Sequence, residues 1–369
     1  MILNKIAKIV LGAGLLVCSL LLLPTTAGGT DRPEENWGGF LPAGQYYSIL
    51  DPAGEILTET GRQVYVEDQY LTEQNGLYQV IEVDEDRRIA KTKFVEKVEL
   101  KVVPLAELRQ ALGLTAAKAD QKRRGTIAVY HTHNAESYVP TDGTDSINGK
   151  GGIHHVGRAF VTAMEKMGIH ADYSERLHLP HDRGAYRRSR ETVLELLAKK
   201  PDAIFDVHRD AAPQSAYAVQ LNDEWMTRVQ FVVGRQNQNL GINRQYAQSL
   251  KKIADDLYPG LVKGIFFGRG NYNQDLSPLS LLLEVGAHTN SRPAAERGIS
   301  LFAEVVDLYF YGPSAEAAEL GQGKAAKRSI TGLLFFVGTG ATIFYVINAG
   351  GFAAAWKRLT SVLNRNRLR

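Results

Sequence analysis

The chain of 369 residues carries 43 Lys and Arg against 40 Asp and Glu, a formal net charge of +3 that excludes a polycationic nucleic-acid binder. With 44% hydrophobic and 22% charged residues it has an ordinary globular composition, enough for one full core and a smaller one, and disorder is expected only in linkers. The single cysteine, Cys18, lies in an apolar N-terminal stretch, which excludes a disulfide framework and leaves any metal in the soluble part to His and carboxylates.

Lys5 and Lys8 precede an apolar run over 9–23 that ends in Pro24 and small residues, the layout of a signal sequence over 1–28. A run of about 15 residues falls short of the roughly 20 that span hydrocarbon, so a cleaved signal and a retained N-terminal membrane anchor are both open. Residues 40–112 read as short strands at 63–67, 77–83 and 89–95, separated by turns such as Asp51-Pro52-Ala53-Gly54. This small all-β module has no His and no convergent polar cluster, so its expected role is accessory or docking. A linker at 113–125, basic through Lys118, Lys122, Arg123 and Arg124, follows.

From 126 to 312 the pattern alternates. Strands are expected at 126–130, 169–173, 203–207, 229–233, 265–267 and 279–285, and helices at 156–167, 191–200, 245–257 and 294–310. Such alternation predicts an α/β fold, a mixed and mainly parallel sheet with helices on both faces, whose functional groups gather beyond the strand ends. After a second linker at 313–328, residues 330–356 hold no charged side chain, and 329–356 is the expected transmembrane helix. Lys357, Arg358, Arg365, Arg367 and Arg369 make a basic tail at 357–369, which the positive-inside bias keeps in the cytoplasm. The expected location is therefore the cell membrane, with the middle of the chain extracytoplasmic.

The strand at 126–130 runs into His131-Thr132-His133-Asn134-Ala135-Glu136, where His133 and Glu136 form an H-x-x-E pair. Nitrogen and carboxylate donors of this kind suit zinc. The strand at 203–207 runs into His208-Arg209-Asp210 and offers a third ligand, so His133, Glu136 and His208 complete a catalytic set with one open position. His131 competes with His133, since residues two apart on a strand share a face. His154 and His155 are further competitors, while His170, His178 and His181 read as loop or strand-surface residues. Glu284 ends the apolar run 280–284, where desolvation raises a carboxyl pKa and suits it to take a proton from the attacking water as general base. Asp206 or Asp210 is expected to orient a liganding imidazole, and Arg209 to steady a substrate carboxylate.

Together the segments 128–143, 189–192, 205–211 and 282–286 resemble the stage II sporulation protein P family, and the HTH-x-x-ESY string carries most of the specificity. The resemblance implies a membrane-anchored peptidoglycan hydrolase related to zinc-dependent N-acetylmuramoyl-L-alanine amidases. It also implies a sheet flanked by helices, endopeptidase action on cross-links as a second activity, and engulfment proteins of the sporulating cell as partners. The related amidases take their ligand carboxylate from a helix farther along, where this chain has Ile153-His154-His155-Val156. Two rival readings are a zinc carboxypeptidase of the cell wall, with Arg187, Arg188, Arg190 or Arg209 holding a terminal carboxylate, and a metal-free wall-binding scaffold.

Overall fold

The structure, a computed structural model, describes residues 41, 44–112 and 125–312. The two apolar ends expected at 1–28 and 329–356, most of the basic linker and the C-terminal tail lie outside the described residues. Among the described residues no helix is long and apolar enough to cross a membrane.

The first half supplies five strands, β1 (Tyr47–Leu50), β2 (Ile56–Thr60), β3 (Gln69–Thr72), β4 (Gly76–Asp84) and β5 (Ile89–Lys97), then the short helix α1 (Leu105–Ala111). The second half contains β6 (Thr126–Tyr130), the single-turn α2 (Val139–Asp142), α3 (Ile153–Lys166), β7 (His170–Tyr173), α4 (Ala185–Ala198) and β8 (Ala203–Asp210). It continues with the hairpin β9 (Ala218–Leu221) and β10 (Glu224–Thr227), then β11 (Val229–Gly234), α5 (Leu240–Leu257), β12 (Val262–Gly268), β13 (Ser280–Ala287) and α6 (Arg292–Tyr311).

Apart from the β9–β10 hairpin, all strands join one sheet in the order β2-β1-β5-β4-β3-β12-β11-β13-β8-β6-β7. The β segment therefore does not form a sheet of its own, because β3 pairs antiparallel with β12. The mainly parallel arrangement holds only from β12 to β7, where β11–β13 is the one antiparallel pair. Antiparallel pairs dominate the accessory half, so the sheet as a whole is mixed. No strand forms over 63–67. Val64 is buried there while Val66 is exposed, and the chain turns so that Tyr65 N donates to Asp68 Oδ2 at 2.9 Å, with Glu67 at φ 74°. The period-two pattern at 63–67 came from a turn with one inward residue.

Strands β8 and β13 are buried along their whole length, as expected for central strands covered on both faces. On one face Phe205, Phe231 and Val129 meet α3, α5 and α6, and Phe302 contacts the rings of Phe160, Phe205 and Phe231. The opposite face carries the alternate residues of the same strands. There Val232, Phe266 and Leu282 pack against Tyr186 of α4 and against Tyr47, Ile49 and Val80 of the accessory strands. The accessory end of the sheet thus bends back over this face. Thr58 of edge strand β2 reaches Gln230 of β11 at 3.4 Å, and Lys263 Nζ of β12 donates to Glu59 O at 3.1 Å.

Candidate metal and active site

Glu284 pairs in register with His208 across β13 and β8, so the two side chains leave adjacent strands on the same face. Beyond β6 the chain leaves the strand and turns, which brings His133 and Glu136 over the end of β8. This turn is held tightly. Gly151 N donates to Asn134 O, Ile153 N donates to Glu136 O, and a Cβ on Gly151 would sit 2.2 Å from the Glu136 carbonyl oxygen. Only glycine allows that approach.

His133, Glu136 and His208 offer donor atoms that all lie within 4.8 Å of one another. Glu136 Oε1 is 3.6 Å from His133 Nδ1 and 3.3 Å from His208 Nδ1. Ligands about 2.0–2.1 Å from a tetrahedral zinc stand about 3.3 Å apart, close to the two separations that Glu136 makes. Around the far ring nitrogens, His133 Nε2 lies 3.2 Å from Asp182 O, and His208 Nε2 lies 2.9 Å from Asp206 Oδ1 as an ion-pair contact without hydrogen-bond geometry. Such outer contacts fix which nitrogen faces the ion. Asp206 is itself fixed by the Thr132 amide and hydroxyl at 2.8 and 2.6 Å.

Burial works against the charged form of His208, but Asp206 and Glu136 on either side outweigh it and push its pKa up to about 10. Burial opposes the Glu136 carboxylate as well; His208, the hydrogen bonds with His133 and His208, and Arg209 hold it well below the usual carboxylate range. His133 is lowered, chiefly by burial. A dication placed among these groups would take over the role of the His208 proton, as the pairing of two imidazoles with one ionised carboxylate requires.

Of the two candidate orienting acids, Asp206 touches a ligand. Asp210 is engaged elsewhere: Oδ1 accepts from Gly61 N of the accessory half at 2.8 Å and Oδ2 from the Tyr217 hydroxyl at 2.8 Å. Arg209 does not reach out to a substrate carboxylate: Nε donates to Ser137 O and Nη2 to Asp145 O, while its amide N donates to Glu136 Oε2 at 2.9 Å. It ties the Glu136 turn to β8. His131 turns away from the cluster, with Nδ1 2.7 Å from Val207 O and Nε2 2.9 Å from the Tyr173 hydroxyl. Strand alternation no longer applies past Tyr130, which is why His131 and His133 part. His154 sits beside His131, Tyr173 and Asn134 rather than in the triad, and His155 is exposed. Two further histidines stand in coil, as read, but are not exposed. His178 is buried between His131 O and the Thr192 hydroxyl, and His181 lines the cavity with its ring 4.8 Å from that of His133.

Glu284 is buried and its pKa is raised to about 7, first by burial and against the pull of Arg62. Its Oε1 accepts from Arg62 Nε at 2.7 Å, with Arg62 Nη2 at 2.5 Å, while Oε2 is buried with no hydrogen-bond partner. Arg62 is the residue that sequence reasoning missed, since its turn carries no His, no acid pair and no motif. These groups line one cavity of about 320 Å³, together with Asp145, Ser146 and His288.

An α/β sheet thus sets two imidazoles and a carboxylate where they could hold a metal ion, with a second buried carboxyl in the same cavity. The model of the family described as stage II sporulation protein P matches residues 54–307, and the chain belongs to that family. It is 32% identical over 222 residues to the stage II sporulation protein P of Bacillus subtilis (strain 168). That match covers 55% of each chain, so the chain spans about half the length of this curated relative. Among solved structures it is similar to the N-acetylmuramyl-L-alanine amidase Ami1 of Mycobacterium smegmatis, at 13% identity and TM-score 0.34, over 52% of this chain and 99% of that one. It is also similar to the CwlD amidase of Clostridioides difficile, solved in complex with the GerS lipoprotein, at 14% identity and TM-score 0.33, over 50% of this chain and 98% of that one.

Proposed function

We propose that the chain is a zinc-dependent peptidoglycan hydrolase that cleaves the amide between N-acetylmuramic acid and L-alanine, acting outside the cytoplasm during sporulation. The observation that carries this reading is the buried triad of His133, Glu136 and His208, with donor atoms within 4.8 Å of one another and Glu284 in register with His208. Membership of the stage II sporulation protein P family supports the wall and the sporulating cell as the setting.

When bound, zinc supplies Lewis-acid chemistry and lowers the pKa of water. The chain does the rest. Glu284 Oε2, desolvated and without a partner, takes a proton from the attacking water and returns it to the departing amine nitrogen. The pKa near 7 suits both halves of that exchange. Asp206 holds the His208 ring, and Arg209 keeps Glu136 in place as the cavity fills.

A carboxypeptidase finds less support. It needs a free cation in the cavity, yet the arginines that line it are Arg62, committed to Glu284, and Arg209, committed to backbone carbonyls. Arg188 is tied to His178 O and Pro180 O, and Arg190 forms a fork with Asp275. A buried set of three donors within 4.8 Å, with Asp206 beside His208, also argues against a metal-free scaffold.

Digestion of purified peptidoglycan followed by mass analysis tests the reaction. Free stem peptides beginning with L-alanine are the expected product. Release of single terminal amino acids, or no release by zinc-loaded protein, would overturn the amidase reading. For topology, the apolar ends and the basic tail support a chain with residues 29–328 outside the membrane. Protease added to intact cells should then digest this region and spare a tag placed after Arg369. The partners in this reading are engulfment proteins of the same developmental stage, to be sought by crosslinking from the accessory strands.

A further inference from the structure

We propose that Arg62, carried into the cavity by the accessory strands, is a positioning residue that fixes the Glu284 carboxyl for proton transfer; the proposal rests on the hydrolase reading above. A buried ion pair is by itself weak evidence of function, since an apolar pair of similar volume often serves stability as well. Three features set this pair apart.

The first is the way the guanidinium is used. Arg62 Nε and Nη2 both address Glu284 Oε1, at 2.7 and 2.5 Å, and leave Oε2 buried without a hydrogen-bond partner. A pair made only for stability gains most from a fork that satisfies both oxygens. Here one oxygen is clamped and the other is left without a partner, in a residue that lines the same cavity as the triad. The second is place: Arg62 and Glu284 both line the cavity that holds His133, Glu136 and His208.

The third is that the approach of Arg62 is built into the backbone. Its neighbour Gly61 donates its N–H to Asp210 Oδ1 at 2.8 Å, two residues past the ligand His208. A Cβ on Gly61 would meet Ala211 Cβ at 2.5 Å and Ala211 Cα and O at 3.0 Å, so only glycine lets the accessory chain come this close. On its inner side the guanidinium lies over the Tyr272 ring, 5.1 Å from its centroid. Peptide, side chain and ring thus hold one orientation of Arg62 across the junction between the two halves. The accessory strands become part of the active site rather than a docking appendage, and residues 126–312 alone carry the metal ligands and an unanchored base.

The test uses the purified full chain, loaded with zinc, acting on a soluble muropeptide. Arg62→Ala should keep the zinc content of the parent and lower kcat by about 10²-fold with KM little changed, as expected when a base is displaced without loss of substrate contacts. Added ethylguanidinium should restore part of that rate. Gly61→Ala, which retains its arginine but cannot seat it, should lose rate similarly and gain nothing from ethylguanidinium. If Arg62→Ala loses its zinc or its fold, Arg62→Met, which keeps the buried stem, replaces it in the same measurement. A zinc-loaded Arg62 variant with the kcat of the parent would overturn the proposal, whereas an inactive zinc-loaded parent would overturn the hydrolase reading instead.

Discussion

Strands β6, β8 and β13 bring His133, His208 and Glu284 to the cavity from the ends of a nearly parallel half-sheet, whereas β1–β5 bring Arg62 there from a turn beyond an edge strand. In the first case the chemistry follows from sheet geometry. Apolar runs fix the strands, register fixes which residues face which side, and polar residues at the ends meet. In the second case the polar group arrives by long-range folding of the sheet over its own face, through the contacts of Thr58, Gly61 and Lys263. The comparison teaches that a candidate site can gather its possible ligands in one half and still draw a neighbouring charged group from the other.

The largest expected effect tests the first half alone. His208→Ala removes one donor and leaves Glu136 and Asp206 facing an empty place, so zinc and hydrolysis should both disappear; metal analysis of the purified variant checks it. Full zinc occupancy in that variant would take His208 out of the ligand set. The helix-covered face should behave differently. Phe302→Ala deletes a fully buried ring in contact with Phe160, Phe205 and Phe231, and should cost about 3–5 kcal/mol of stability by denaturant unfolding. The variant that remains folded should still bind zinc, because the site lies on the other face. Loss of zinc from folded protein would show that the two faces are not independent.

A smaller effect is expected one contact out from the metal. Asp206→Asn keeps the shape beside His208 Nε2 but withdraws the charge, and should weaken zinc binding by about 10- to 100-fold, read by competition with a chelator. An unchanged affinity would mean that the Asp206 charge does not bear on zinc binding.

Much of the second half was legible in the sequence. The strand runs at 126–130, 203–207 and 279–285 correspond to β6, β8 and β13, the last two running on to Asp210 and Ala287, and His133, Glu136, His208, Asp210 and Glu284 from these strands and the turn after β6 line one cavity. The choice between His131 and His133 was not legible, because it depends on where β6 ends and the turn begins. Nor were His178 and His181, which stand in coil between β7 and α4 and whose burial depends on what folds over them. Arg62 was the least legible of all. Its partner lies 222 residues away in the chain, and the alternation of Val64 and Val66 suggested a strand where the structure has a turn around Asp68. Local pattern reports periodicity, and this contact is set by the bend of the whole sheet.

The most direct test of the central claim is a paired measurement on the parent chain and Glu284→Gln: zinc per chain, and rate of stem-peptide release from purified peptidoglycan. The amide keeps nearly the same shape and can still accept from Arg62, but it cannot take up the proton of the attacking water. The account predicts one zinc in each protein and a rate lower in the variant by about 10² to 10⁴. A variant as fast as the parent, or a parent that binds no zinc, would contradict it.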